Sequence, residues 1–151
     1  MDLGRLAISL PVPFLPPRAC VELARTAERE WGYDAIWLAE TNGPDSASLA
    51  GALAVATERA TLGTAIVPVQ TRTAALLAMT AATLGGLAPG RFVLGLGSSS
   101  FAIVEGWHGL AFEKPLARVR ETVAIVRAAL AGRKTDFAGE TAKSEIGRAH
   151  V

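Results

Sequence analysis

Disulfides, metal ligands, aromatic rings and blocks of charge are all scarce in this sequence, and each scarcity excludes something. Cys20 is the single cysteine. No internal disulfide can form, and a reducing, cytoplasmic compartment is expected. With no histidine near it in sequence, Cys20 reads as a small hydrophobe. The two histidines, His108 and His150, show no metal-ligand spacing, so no metal centre is expected. Lys and Arg number 15 against 14 Asp and Glu, a net charge of +1 with no block of either sign. A nucleic-acid partner is therefore not expected. The longest uncharged stretch, 73–90, holds three threonines, three glycines and a proline. It suits an amphipathic helix rather than a membrane span, and no membrane partner is expected. The N-terminal run MDLGRLAISLPVPFLPP carries Asp2 and several prolines, and reads poorly as a signal peptide.

Core-forming material is abundant. Hydrophobic residues make up 50% of the 151, charged residues 19%, which suits one domain with a large core. Leu6–Leu10 is a short apolar run stopped by Pro11, a first strand. Pro16-Pro17 opens a helix with Val21, Leu23, Ala24, Ala27 and Trp31 near helical spacing, ended by Gly32. Asp34–Ala39 is a second strand, followed by the loop Glu40–Asp45, and Ser46 is placed to cap a helix carrying Leu49, Leu53 and Ala56. Leu62–Val67 is a third strand. Thr73–Leu87 is a third helix, with Leu76, Leu77, Thr80, Ala81 and Leu84 on one side. After the Pro89-Gly90 turn, Arg91–Gly97 is a fourth strand. Pro115 starts a fourth helix in which Leu116, Val119, Val123, Val126 and Leu130 share a face, ended by Gly132.

The strands are apolar throughout rather than alternating, as in a sheet buried on both faces. Alternation of strand and helix implies a parallel α/β sheet. Two architectures fit: a doubly wound sheet and half of a TIM-like (β/α)8 barrel, whose full form needs roughly 250 residues.

Four stretches carry a resemblance: GYDAIWLAE (32–40), TERATLGTAIVPVQTRTAALLAMTAATL (57–84), GRFVLGLGSSS (90–100) and EGWHG (105–109). Together, in this order and spacing, they resemble the luciferase-like monooxygenase family, especially its coenzyme F420-dependent branch. The resemblance spans about residues 5–140 and implies four βα units, the N-terminal half of a TIM-like barrel. It implies F420 as cofactor, with FMN as the alternative, bound at the carboxyl ends of the strands. One departure is Ala74, where relatives often have proline.

The resemblance implies a non-prolyl cis peptide at Ala65–Ile66, in a bulge that backs the flavin-type ring, with Ala65, Ile66 and Val67 as cofactor contacts. Such a bulge would end regular pairing and leave Pro68 just past the distorted end; from the residues alone this is an ordinary strand end. Glu40 closes the second strand. Many F420-dependent relatives carry an Asp-His pair near here, where this chain has Glu40-Thr41-Asn42. Glu40 and Asn42 become candidate cofactor or substrate contacts, with Glu40 also a candidate catalytic residue; the alternative is a solvated loop acid. Gly97, Ser98 and Ser99 allow close approach to a ligand and, by the resemblance, touch the cofactor; the alternative is a flexible turn. The GLG run lacks dinucleotide-binding spacing. His108 is a candidate acid/base residue, against a structural loop histidine. Trp31 and Trp37 are expected to pack the helix–strand layer and Trp107 its loop.

Residues 1–144 thus form the expected barrel portion. The tail 145–151 reads as non-native, because Ile146–Val151 matches the translation of a common sequencing adapter, and His150 receives no role. The expected activity is F420-dependent hydride transfer to or from a small organic substrate. The alternatives are an FMN-dependent monooxygenase and a non-catalytic cofactor-binding or structural barrel. Residues 1–151 alone are expected to be inactive, and a homodimer is the candidate assembly of the parent.

Overall fold

The computed structural model describes residues 6–11 and 14–145, so the tail expected at 145–151 lies, apart from Glu145, outside the described residues. Two compact units are present: Met1–Val67 with Leu84–Gly95, and Pro68–Thr83 with Leu96–Val151.

The first unit holds a four-stranded parallel sheet. Its strands are β1 (Ala7–Leu10), β2 (Ala35–Leu38), β3 (Thr61–Thr64) and, after the two-residue β4 (Val67–Pro68), β5 (Phe92–Val93). The sheet order β1-β2-β3-β5 follows chain order, with registers Leu10↔Leu38, Leu38↔Thr64 and Gly63↔Val93. A doubly wound sheet would reverse strand order at a switch point; this one steps in a single direction, as a barrel does.

Helix α1 (Pro17–Arg29) starts with proline at its first position, where the missing N–H costs nothing. It buries Cys20, Ala24, Ala27 and Glu28. The helix ends three residues before Gly32, whose φ is +69°, and Trp31 falls beyond it. Trp31 is 53% exposed rather than packed in the layer, a correction to the helical spacing. Helix α2 (Ser46–Ala56) is capped by Asp45, not Ser46: the Asp45 carboxylate accepts from the Ser48 N–H at 2.7 Å. Leu10, Ile36, Leu38, Leu53 and Leu62 are fully buried at the centre of this core, each contributing about 1.5–3 kcal/mol of transfer free energy.

Helix α3 (Ala74–Leu87) follows Thr73, whose hydroxyl accepts from the Leu76 N–H at 3.2 Å. Leu77, Ala78, Ala81 and Leu84 are buried, whereas Leu76, expected on that side, is 46% exposed.

In the second unit β6 (Leu96–Gly97) packs with α4 (Pro115–Leu130). Between them lie a serine loop and a π-helical turn, Ala102–Trp107. The covered face of α4 is Thr122, Ile125, Val126 and Ala129. Leu116 at 77% and Leu130 at 36% exposure lie at the helix ends, outside that face. Trp107 is 64% exposed and does not pack its loop as expected. A short hairpin, β7 (Phe137–Ala138) against β8 (Lys143–Ser144), was not anticipated from the sequence. Among the described residues, no helix is long and apolar enough to cross a membrane.

Candidate functional site

Parallel strands direct all their carboxyl ends to one edge of the sheet. In the first unit that edge carries Glu40 and Asn42 after β2, and Ala65 and Ile66 after β3. Glu40 is fixed by the first turn of α2: its Oε2 accepts from the Ser46 hydroxyl at 2.6 Å and the Ser46 N–H at 3.0 Å. A carboxylate here also meets the positive end of the helix dipole. Asn42 is exposed, and its Oδ1 accepts from the Thr41 hydroxyl at 3.3 Å. Ala65 is exposed and Ile66 half-buried, and the peptide bond joining them is cis. The Ala65 N–H donates to Leu38 O at 2.7 Å, so the bulge begins while still tied to β2.

The fourth strand, expected as one run over 91–97, is broken into β5 and β6 at Leu94–Gly95. The reason is contact with Thr64. The Thr64 hydroxyl lies 2.8 Å from both the N and the O of Gly95, and a Cβ on Gly95 would stand 1.9 Å from Thr64 O. Only glycine permits that approach.

Pro68 lies just past the cis Ala65–Ile66 bond, as the resemblance implies, and within a further short strand, β4, rather than in a loop. Its neighbours donate: Val67 N–H to Gly95 O and Val69 N–H to Gly97 O, both at 2.9 Å. Alternate residues of a strand point their N–H groups the same way, so Pro68 occupies the position from which that ladder asks no donor. Val67 itself is 3% exposed.

The remaining candidates belong to the second unit. Gly97 and Ser98 are half-buried, and Ser98 Oγ donates to Ser99 O at 3.3 Å. Ser99 has a φ of +58°, rare for a residue with a side chain. His108 is exposed and closes the π-helical turn through its N–H to Ile103 O, 3.1 Å. Among the described residues, no cluster of metal-ligating side chains occurs.

The sequence profile of the luciferase-like monooxygenases matches residues 4–149. The chain belongs to the luciferase-like monooxygenase family. A Mycobacterium tuberculosis protein named as a coenzyme F420-dependent oxidoreductase is 43% identical over 112 residues, 74% of this chain and 32% of that protein. The 5,10-methylenetetrahydromethanopterin reductase of Methanolobus tindarius is 33% identical, over 87% of this chain and 40% of the relative. Among solved structures, the coenzyme F420-dependent tetrahydromethanopterin reductase of Methanopyrus kandleri superposes with a TM-score of 0.83 at 24% identity, covering 95% of this chain and 46% of that one. The FMN complex of the oxygenating constituent of 3,6-diketocamphane monooxygenase from Pseudomonas putida gives 0.80 at 18% identity, covering 95% and 43%. The chain thus spans under half the length of these relatives. Its fold is theirs: α/β, a partial TIM-like (β/α)8 barrel of βα units with parallel strands.

In a barrel of this family one residue escaped the sequence reading. Gln70, two residues after β4, is 9% exposed, and both its Nε2 and Oε1 lack a hydrogen-bond partner among the described residues. The signal was present in VPVQ, an amide closing an apolar run at a strand's carboxyl end, but burial is not visible in a sequence. Conversely, an open cavity of about 260 Å³ lined by Glu28, Tyr33, Asp34 and Arg59 lies toward the amino ends of the strands, away from the edge where barrel enzymes place chemistry.

Proposed function

We propose that this protein is a flavin- or deazaflavin-dependent oxidoreductase whose cofactor is coenzyme F420. The observation that carries the reading is the carboxyl edge of the first unit's sheet. There the β2 and β3 loops present a fixed carboxylate at Glu40, an exposed Asn42 and an exposed Ala65. Barrel enzymes bind ligands at this edge, on loops held by a rigid sheet. The preference for F420 over FMN follows the 43% identical relative, which is named as a coenzyme F420-dependent oxidoreductase.

The residues present suit a planar cofactor with a hydrogen-bonding rim. Ala65 and Ile66 offer a small apolar surface for a ring. When bound, a deazaflavin supplies a carbon that gives or takes a hydride. This chain's part is to orient and to exchange protons. Glu40 and Asn42 would hold cofactor or substrate by hydrogen bonds; Gly97, Ser98 and Ser99 would line the cofactor with small groups. His108 would exchange a proton with the substrate.

Titration of the full-length protein with F420 and, separately, FMN, followed by cofactor fluorescence, tests this. F420 is expected to bind and to be reduced or oxidised in the presence of substrate. Tight FMN binding without F420 affinity would reverse the choice of cofactor. Binding of neither would sink the proposal.

A further inference from the structure

Buried polar groups almost always find partners, and one left without them costs about 1–3 kcal/mol. Gln70 is buried with two such atoms, one a donor and one an acceptor. Its backbone surroundings are well ordered by contrast: Val69 N–H pairs with Gly97 O, and the Thr71 hydroxyl donates to Pro68 O at 3.1 Å. Those two groups are paired and the amide is not. It stands two residues beyond β4, past that strand's carboxyl end, and this fold places ligands at the carboxyl ends of its strands.

A primary amide presents its N–H and C=O side by side. A lone carbonyl or hydroxyl of a substrate would satisfy one atom and leave the other buried and unpaired. A cyclic imide satisfies both together, because its ring N–H faces Oε1 while the adjacent carbonyl faces Nε2. Flavins and deazaflavins share that imide on their pyrimidine ring. We propose that Gln70 reads the imide edge of the cofactor and so fixes the ring's in-plane orientation. This rests on the cofactor reading above, and holds for F420 and FMN alike.

The test is a pair of measurements on the full-length protein and its Gln70→Leu variant. Thermal unfolding without cofactor comes first. Leu removes a buried unsatisfied amide at similar volume, so the midpoint should rise or hold. A fall would mean that Gln70 has a partner within the protein, and would overturn the proposal. Fluorescence titration with F420 and with FMN comes second. The Kd of the cofactor that binds the native protein should rise about tenfold in Gln70→Leu. The N3-methyl derivative of that cofactor lacks the imide donor; it should bind the native protein about tenfold more weakly than the parent, and Gln70→Leu should no longer distinguish the two. Gln70→Glu, which sets a carboxylate against the ring carbonyl, should bind more weakly than Gln70→Leu and recover as the pH falls. If the native protein binds a cofactor and both variants bind it within twofold as well, Gln70 is not the reader and the function stands. If the native protein binds neither cofactor, both readings fall together.

Discussion

The two edges of the first unit's sheet are built on opposite principles. At the amino edge the side chains of Asp34, Glu28 and Arg91 are spent on the protein itself. Asp34 accepts from the Leu6 N–H at 3.1 Å, joining the entries of β1 and β2. The Glu28 carboxylate, 2% exposed, accepts from the N–H groups of Glu58, Arg59 and Ala60 just before β3. Burial pushes its pKa up, but those three donors and the nearby Arg59 charge outweigh it and hold the carboxyl below its ordinary value. The Arg91 guanidinium, just before β5, donates to Ala60 O, Thr57 O, Thr57 Oγ1 and Ala54 O at 2.8–3.2 Å. At the carboxyl edge, Asn42 and Ala65 are exposed. One edge ties the strand entries together, and the other leaves Asn42 and Ala65 exposed. This is the division that βα barrels show between stability and chemistry.

The contrast is not absolute, and Gly95→Ala should break it most severely. Gly95 lies at the carboxyl edge but is wedged against the Thr64 carbonyl, with 1.9 Å for a new Cβ. Backbone cannot swing aside as a side chain can, so a loss of about 3 kcal/mol or more is expected in denaturant unfolding. A loss under 1 kcal/mol would show that the strand break at Leu94–Gly95 yields easily.

Glu28→Gln should sharpen the comparison. Three N–H donors lose a carboxylate, and stability should fall by about 1–3 kcal/mol, while the cofactor Kd of the folded protein stays within twofold. The pH dependence has a definite sign. The folded-state pKa lies below the unfolded one, so the stabilisation is present above about pH 4.3 and disappears as the pH falls through the folded value. Loss of cofactor affinity in Glu28→Gln would mean that the two edges are coupled.

Asn42→Ala is the converse. Its side chain is exposed, so stability should stay within about 0.5 kcal/mol, while cofactor or substrate affinity drops about two- to tenfold. An unchanged affinity would remove Asn42 from the site.

The smallest effect is expected in the second unit, where Glu121 repeats the Glu28 device at an accessible position. Its carboxylate accepts from the Thr141 hydroxyl and the N–H groups of Glu140, Thr141 and Ala142 at 2.6–2.9 Å. The Thr141 hydroxyl first, then these N–H groups, hold its pKa down to about 2. The native advantage over Glu121→Gln should be full at neutral pH and shrink between about pH 4.3 and 2. Unfolding midpoints across that range check it. A difference that persists unchanged at pH 2 would show that packing, not charge, secures the hairpin.

The elements were legible because apolar runs and helix periodicity are local. The strand starts near Ala7, Ala35 and Thr61 and the helices at Pro17 and Pro115 followed from proline placement and pattern alone. Corrections cluster where cover, not pattern, decides. Periodicity names the residues that share a face of α4, but the cover reaches only Thr122–Ala129, so Leu116 and Leu130 remain outside. Trp31 fits the α1 stripe in spacing, yet the helix has already ended at Arg29. Cover also decides at Gly63, where the Trp37 ring on β2 lies across the residue, within 2.2 Å of where a Cβ would be.

The order and type of the βα units, the absence of disulfide chemistry and the family motifs were written in the sequence, since each depends on residues close along the chain. Tertiary structure alone decided which carboxylates are structural and which polar groups are unspent. Glu28 and Glu40 are both acids beside apolar runs. They differ because one meets three backbone donors 30 to 32 residues away and the other stands at a strand's carboxyl end against a helix N-terminus. Gln70 shows the same limit: its side chain is ordinary in sequence, and only folding buries both amide atoms without a partner. Hydrogen-bond satisfaction depends on distant groups brought together, and no local pattern encodes it.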